Sequence, residues 1–169
     1  MLETKVINFY AGPSAGKTTA ALEFVSLLKK RGYEVEFAPE FAKELLYGGF
    51  LHLLDGGLVN EVNMINEKHR RLKLYDGKVE FIVTDAPLNM SIFYASDEYR
   101  EWLTWYVKEI DTFNNYNVFI ERGEDYDTKG RKQTYEESLT IDKEIKAFLV
   151  NYKSIDRDEV SKLLTLLNL

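Results

Sequence analysis

The run Ala11-Gly12-Pro13-Ser14-Ala15-Gly16-Lys17-Thr18 is the part of this chain whose chemistry can be named from spacing alone. Two glycines followed by a lysine and a hydroxyl residue make a loop whose backbone N–H groups point inward at an anion. Lys17 then reaches the outer phosphates of a nucleotide as a point charge, and the Thr18 hydroxyl offers an oxygen to Mg²⁺. The candidate nucleotide-binding residues are therefore Gly12, Pro13, Ser14, Ala15, Gly16, Lys17, Thr18 and Thr19. Such a loop has meaning only between a strand and a helix. Here the apolar run Val6–Tyr10 precedes it, and a helical pattern from Thr18 to Lys30 follows. The pattern usually begins with Gly, and Ala11 stands there. Alanine is comfortable only at negative φ, so the shape of the first turn is an open question for the structure.

Phosphoryl transfer needs three further things: a held metal, an oriented acceptor oxygen, and cations for the charge that grows on the transferred group. The chain supplies a candidate for each. Asp85 ends the apolar strand Glu80–Thr84, where an acid can hold the hydration shell of Mg²⁺; it can equally cap the next helix. Glu40 ends the second strand, where it can take the proton of an attacking hydroxyl; it can equally compensate a helix dipole. Arg122, Lys129, Arg131 and Lys132 lie in a polar segment, about 122–134, that reads as a lid closing over phosphates, with Arg122 and Arg131 the leading cations. The acids Glu124, Asp125 and Asp127 among them leave a plain solvated loop as the other reading. Lys68, His69, Arg70, Arg71 and Lys73 form the densest basic run, expected as a solvated helix face, with phosphate contact as the alternative. Tyr47, Phe50, Phe93 and Tyr94 fall near loop ends where an acceptor base can stack.

The elements that must position these groups follow from periodicity. Strands are expected at Lys5–Tyr10, Tyr33–Ala38, Val79–Thr84, Asn117–Glu121 and Tyr152–Ile155. Helices are expected after the loop, over Pro39–Leu46, over Leu58–Tyr75, over Leu88–Phe113 with a break near Ser96-Asp97, from Thr134 to about Val150, and from about Asp158. Thr134 and Glu137 have the spacing of a capping box. Phe50–Gly57 reads as a loop-like insert. Strands alternating with helices predict an α/β three-layer sandwich with a five-stranded parallel sheet. Ligands then sit beyond the carboxyl ends of the strands, where the phosphate loop, Glu40, Asp85 and Arg122 should converge.

Composition narrows the field. The chain has 169 residues, which suits one domain over 1–169, with 45% hydrophobic and 30% charged residues. Its net charge of −6 argues against broad, non-specific nucleic-acid binding. With no cysteine, disulfides, thiolate catalysis and cysteine-based zinc sites are excluded. No apolar run approaches a membrane span, and no leader pattern opens the chain, so a cytosolic protein is expected.

The segments FYAGPSAGKTTAALEF, EFAPEFAKELL, FIVTDAPL, VFIERGEDYDTKGRKQT and IDKEIKAFL occur in an order that resembles small phage-type P-loop kinases. They are similar to nicotinamide-riboside-kinase-like ATPase domains and to phage kinases of 5-hydroxymethyluracil in DNA. The resemblance implies strand order 2-3-1-4-5, a Mg–ATP donor, a hydroxyl acceptor, and the host cytoplasm if the chain is phage-encoded. It implies Gly16, Lys17, Thr18 and Thr19 as loop residues, Glu40 as the acid after the second strand that resembles a base, Asp85 as the acid after the third strand, and Arg122 and Arg131 as lid cations. Which of Glu40 and Asp85 takes the hydroxyl proton stays open. The acceptor stays open between a free nucleoside or nucleotide and a hydroxymethylated base in phage DNA. Two other readings stay open as well: an ATPase or switch module without a small acceptor, and a kinase of 5′-hydroxyl nucleic-acid ends. A GTPase-type switch would want an Asn-Lys-x-Asp segment, which the chain lacks.

Overall fold

Apolar strands that alternate with amphipathic helices close here into one parallel sheet. The computed structural model describes residues 2–123 and 134–169. In chain order these form β1 (Lys5–Tyr10), α1 (Lys17–Lys30), β2 (Val35–Ala38), α2 (Phe41–Tyr47), a 3₁₀ turn (Leu51–Leu54), α3 (Leu58–Tyr75), β3 (Phe81–Thr84), α4 (Met90–Tyr94), α5 (Asp97–Ile110), β4 (Asn114–Glu121), α6 (Tyr135–Phe148), β5 (Tyr152–Asp156), a 3₁₀ turn (Arg157–Glu159) and α7 (Lys162–Leu166). The sheet order is β2-β3-β1-β4-β5, with every neighbouring pair parallel. This is the five-stranded parallel sheet that the alternation of strands and helices predicts, in the 2-3-1-4-5 order that the resemblance implies.

The period-two alternation of β1 sends Ile7 and Phe9 to one face and Val6, Asn8 and Tyr10 to the other. On the first face, Ile7 and Phe9 pack with Phe24 and Leu28 of α1 and Leu163 and Leu164 of α7. On the second, Val6 packs with Ile65 and Leu72 of α3 and Leu103 and Val107 of α5, while Tyr10 meets Ile145 of α6. Helices thus cover both faces, which is why β3 is buried at all four positions.

Local signals set most helix ends. The last turn of α1 carries Lys29 and Lys30, and Gly32 beyond it takes the left-handed conformation at φ 86°. Thr134 and Glu137 form the expected capping box: Thr134 N–H donates to Glu137 Oε2 at 2.7 Å, and Glu137 N–H donates to Thr134 Oγ1 at 3.2 Å. Three strand starts differ from expectation. β3 begins at Phe81 rather than Val79, because the Val79 N–H still bonds Tyr75 O at the end of α3. β2 begins at Val35 rather than Tyr33, because the Tyr33 N–H still bonds Leu28 O and its ring packs edge-on against Phe81. β4 begins at Asn114 rather than Asn117, because Asn114–Asn117 already pair with Lys5–Asn8 of β1. The buried Asn8 amide donates to Asn115 Oδ1 at 2.7 Å and Asn117 Oδ1 at 3.2 Å, so polar side chains that read as loop satisfy one another inside the sheet. Among the described residues, no helix is long and apolar enough to cross a membrane.

The basic run on α3 is not a continuous solvated face. Lys68 turns inward and is buried. Arg70 Nε donates to Glu67 at 2.7 Å, Arg71 bridges Glu67 and Glu44 of α2 and bonds Pro39 O, and Lys73 pairs with Asp76. His69 sits against the Phe113 ring at 5.5 Å, and burial lowers its pKa. Glu67 is thus the pivot of the network that ties α2 to α3. The hydrogen bonds from Arg70, helped by Arg71, bring its carboxyl down to about 2 from 4.5. A carboxyl with a depressed folded pKa stabilises the fold above its unfolded value, and the contribution fades as pH falls from 4.5 toward 2. Glu67→Gln is expected to cost about 1–2 kcal/mol at neutral pH, discounted for the exposure of Arg70. Urea unfolding at stepped pH checks this: the gap from wild type should close on acidification, and a gap independent of pH would rule out the ion pairs as its source.

Candidate active site

The loop between β1 and α1 has the close approaches that explain its glycines. Gly16 lies at φ 81°, and a Cβ there would stand 2.6 Å from Cδ of Arg157. A Cβ on Gly12 would stand 2.5 Å from Oδ1 of Asp142, the atom to which the Gly12 N–H donates at 2.7 Å. Ala11 is not among the residues at positive φ, so alanine in place of the usual glycine introduces no strain. Ser14 does adopt the left-handed conformation, at φ 65°, and its buried Oγ has no hydrogen-bond partner among the described residues. A strained residue with an orphaned hydroxyl, beside the N-terminus of a 14-residue helix, fits an anion.

Thr18 and Asp85 come together beyond the carboxyl ends of the neighbouring parallel strands β1 and β3. The Thr18 hydroxyl donates to Asp85 Oδ2 at 2.5 Å, and Lys43 Nζ donates to Thr18 Oγ1 at 3.3 Å. Asp85 is 1% exposed, and its Oδ1 has no hydrogen-bond partner among the described residues. A buried carboxylate with one idle oxygen next to a threonine hydroxyl is the oxygen-donor set that suits a hard divalent cation. Neither acid caps a helix through its side chain. The residue capping α4 is Asn89, and Glu40, although at the N-cap of α2, makes no side-chain cap bond.

Two cavities meet over these residues. One, of about 500 Å³, is lined by the loop from Ala11 to Thr19 together with Glu40, Lys43 and Tyr94. The other, of about 430 Å³, is lined by Glu40, Asp55, Glu61, Lys68, Asp85 and Ser91 among others. Lys17, Glu40 and Tyr94 line both. The 3₁₀ turn at Leu51–Leu54, inside the segment expected as a loop-like insert, brings Leu54, Asp55 and Gly56 to the wall of the second cavity.

Sequence reasoning found Lys17, Glu40 and Asp85 here, named Lys68 only within a basic run expected to be solvated, and missed Glu61 and Ser91. Burial depresses the Lys68 ammonium to about 8, against the opposing pull of Glu40 and Glu61. Burial likewise raises Glu61, with Lys68 and Ser91 opposing. A signal was present: Lys68 lies three residues after Ile65 and four before Leu72, on the buried stripe of α3. Of the four aromatics proposed to stack, Tyr94 alone lines the cavities. Tyr47 is 86% exposed, Phe50 lies outside both linings, and Phe93 packs on Phe148 at 5.8 Å.

Arg122 follows β4 as expected and is buried beside Gly12 of the loop. Its side chain is 4% exposed, and its Nε donates to Asp142 Oδ2 at 2.9 Å. Asp142 therefore joins the end of β4 to Gly12, a role with no local sequence signal. Arg131, with Lys129 and Lys132, lies outside the described residues.

An all-parallel 2-3-1-4-5 sheet with a Gly-Lys-Thr loop after its central strand defines the P-loop NTPase fold in its kinase-type order. Solved structures share it. NadR protein in complex with NR is similar at TM-score 0.71 and 15% identity, over 99% of this chain and 52% of that one. Deoxyadenosine kinase from M. mycoides with bound dATP is similar at TM-score 0.60 and 16% identity, over 96% and 97%. The Mycobacterium tuberculosis APS kinase in complex with AMPPNP and APS is similar at TM-score 0.58 and 11% identity, over the whole of both chains. At such identities the likeness is one of fold. No protein-family model matches the sequence, and no curated protein matches it.

Proposed function

We propose that this protein is an ATP-dependent kinase that transfers the γ-phosphoryl group to a hydroxyl of a nucleoside-type acceptor. The observation that carries the reading is the pair of cavities joined at Lys17, Glu40 and Tyr94. A module that only binds or hydrolyses a nucleotide needs the loop cavity alone. A second recess opening where the γ-phosphate would lie is what an acceptor requires. Fold neighbours named as kinases, one with an ATP analogue and one with dATP, support a nucleotide donor.

The residues divide the work as follows. Backbone N–H groups from Ser14 to Thr19 hold the phosphates, and Ser14 Oγ adds a donor. Lys17 neutralises charge on the transferred group, and Lys43 stands beside it. Thr18 and Asp85 would hold Mg²⁺, which would supply positive charge to offset that of the phosphates. The acceptor oxygen, placed by the second recess, forms a bond to the γ-phosphorus as the bond to the β–γ bridging oxygen breaks. The hydroxyl proton passes to Glu40, and ADP leaves. Arg122, expected as a lid cation, steadies the loop through Asp142 instead, and the lid role is proposed for Arg131 alone.

The test is transfer from γ-labelled ATP to nucleosides, nucleotides, and DNA with and without 5-hydroxymethyluracil. Label in none of them, with slow ATP hydrolysis that no acceptor accelerates, would favour the ATPase reading. In the same assay Glu40→Gln is expected to lower kcat by about 10²–10⁴-fold with little change in the KM for ATP. An equal loss in both would assign Glu40 a structural part.

A further inference from the structure

The floor of the second recess is a directed polar chain. Lys68 Nζ donates to Ser91 Oγ at 3.0 Å and approaches Pro87 O at 3.4 Å. Ser91 in turn lines the recess together with the Glu61 carboxyl, whose charged form it favours. An ammonium can only donate, so Ser91 accepts from Lys68 and passes its own proton toward Glu61. The order is therefore ammonium, hydroxyl, carboxyl. Each end keeps capacity: Lys68 has three N–H groups, and Glu61 has more lone pairs than one hydroxyl uses. Glu61 and Lys68 lie two turns apart on one face of the 18-residue α3, and Ser91 is buried on α4. A donor and an acceptor thus stand side by side on packed helices, the complement of an amide or imide edge, where C=O adjoins N–H.

The charge of the recess adds a second constraint. Lys17 and Asp85 belong to the phosphate end. That leaves Glu40, Asp55 and Glu61 facing Lys68, three carboxyls to one ammonium. A phosphate group entering this space meets like charges in a partly desolvated site, where repulsion is strongest.

We propose that the recess is specific for an uncharged nucleoside, held by its amide or imide edge on the Lys68–Ser91–Glu61 chain, and that it rejects the phosphorylated forms. This rests on the reading of the recess as the acceptor site, and it narrows that reading to a free nucleoside rather than a nucleotide or a base within DNA. Glu61, Lys68 and Ser91 are specificity residues here; they do not touch the reacting atoms.

The experiment measures binding first, by thermal shift and calorimetry on the full chain with AMPPNP present. The probes are uridine, thymidine and 5-hydroxymethyl-2′-deoxyuridine, each beside its 5′-monophosphate and its N3-methyl analogue, with a hydroxymethyluracil oligonucleotide alongside. At least one nucleoside is expected to bind, with its monophosphate and its N3-methyl analogue each weaker by about tenfold or more, roughly the loss of one good hydrogen bond or one like-charge contact. Ser91→Ala, which removes a single buried oxygen, should erase the preference for the imide edge while leaving AMPPNP affinity unchanged. Lys68→Met should do the same. Binding of a monophosphate or the oligonucleotide in preference to its neutral counterpart, or binding of no nucleoside at all, overturns the proposal. Adding γ-labelled ATP separates the two claims: a nucleoside that binds with these preferences but takes no label removes the kinase reading alone, whereas label on nucleotide or DNA keeps the kinase reading and removes this one.

Discussion

Lys17→Ala is expected to lower kcat by on the order of 10³-fold while leaving the melting temperature unchanged or slightly raised. The two halves of this result have separate causes. Lys17 is the first residue of α1 and lines both cavities, so its ammonium stands where the transferred group must pass. A preorganised cation acting on charge that develops in the transition state is among the largest single contributions an active site makes. For the fold, the same cation is unfavourable, because the N-terminus of a helix already carries partial positive charge. Removing it relieves about 0.3–1 kcal/mol of repulsion. Initial rates with labelled ATP and a calorimetric scan of the same preparation test both halves. Retained turnover would remove Lys17 from the chemistry, and a large fall in melting temperature would make it a structural residue.

Asp142→Ala should have the largest effect on stability, about 3 kcal/mol or more, which for a chain of this size lowers the melting temperature by roughly 6–12 °C. The carboxylate serves two buried groups. Its Oδ2 accepts from Arg122 Nε at 2.9 Å, and its Oδ1 accepts from the Gly12 N–H at 2.7 Å. Alanine takes the Asp142 carboxylate from a guanidinium whose side chain is 4% exposed, and it leaves a loop N–H without this acceptor. Losing one partner of a buried ion pair costs far more than the pair itself is worth, because the remaining charge stays desolvated. Asp142→Asn keeps an oxygen for Gly12 and should recover part of the loss. Replacing Arg122 and Asp142 together by apolar residues of similar volume should recover more of the stability but not the transfer activity. A single alanine variant as stable as wild type would show that the pair does not hold the loop in place.

Legibility in the sequence followed the distance over which each feature is built. The loop was readable because strand, glycines, Lys17, Thr18 and helix are contiguous. Glu40 and Asp85 were readable because each follows a strand of a parallel sheet, and such strands all end on one side. The capping box at Thr134 and Glu137 spans three residues and appeared where expected. Lys68 was harder. Its basic neighbours suggested a solvated run, and the buried stripe passing through it was the weaker signal. Asn114 to Asn117 looked like loop because their partners are amides on another strand.

By itself, then, the sequence determined the class of fold, the anion loop, and the acids brought beside that loop. These depend on periodicity and on short motifs, whose energetics are local. The tertiary structure alone decided that Asp142, 130 residues from Gly12, would sit beneath it. It alone decided that Arg122 would be buried as the partner of Asp142 and that Lys68, Ser91 and Glu61 would floor a second recess. The physical reason is burial. A charge reads as solvated in the sequence until packing removes water and requires it to find a partner, and that partner is chosen by the fold rather than by its neighbours in the chain.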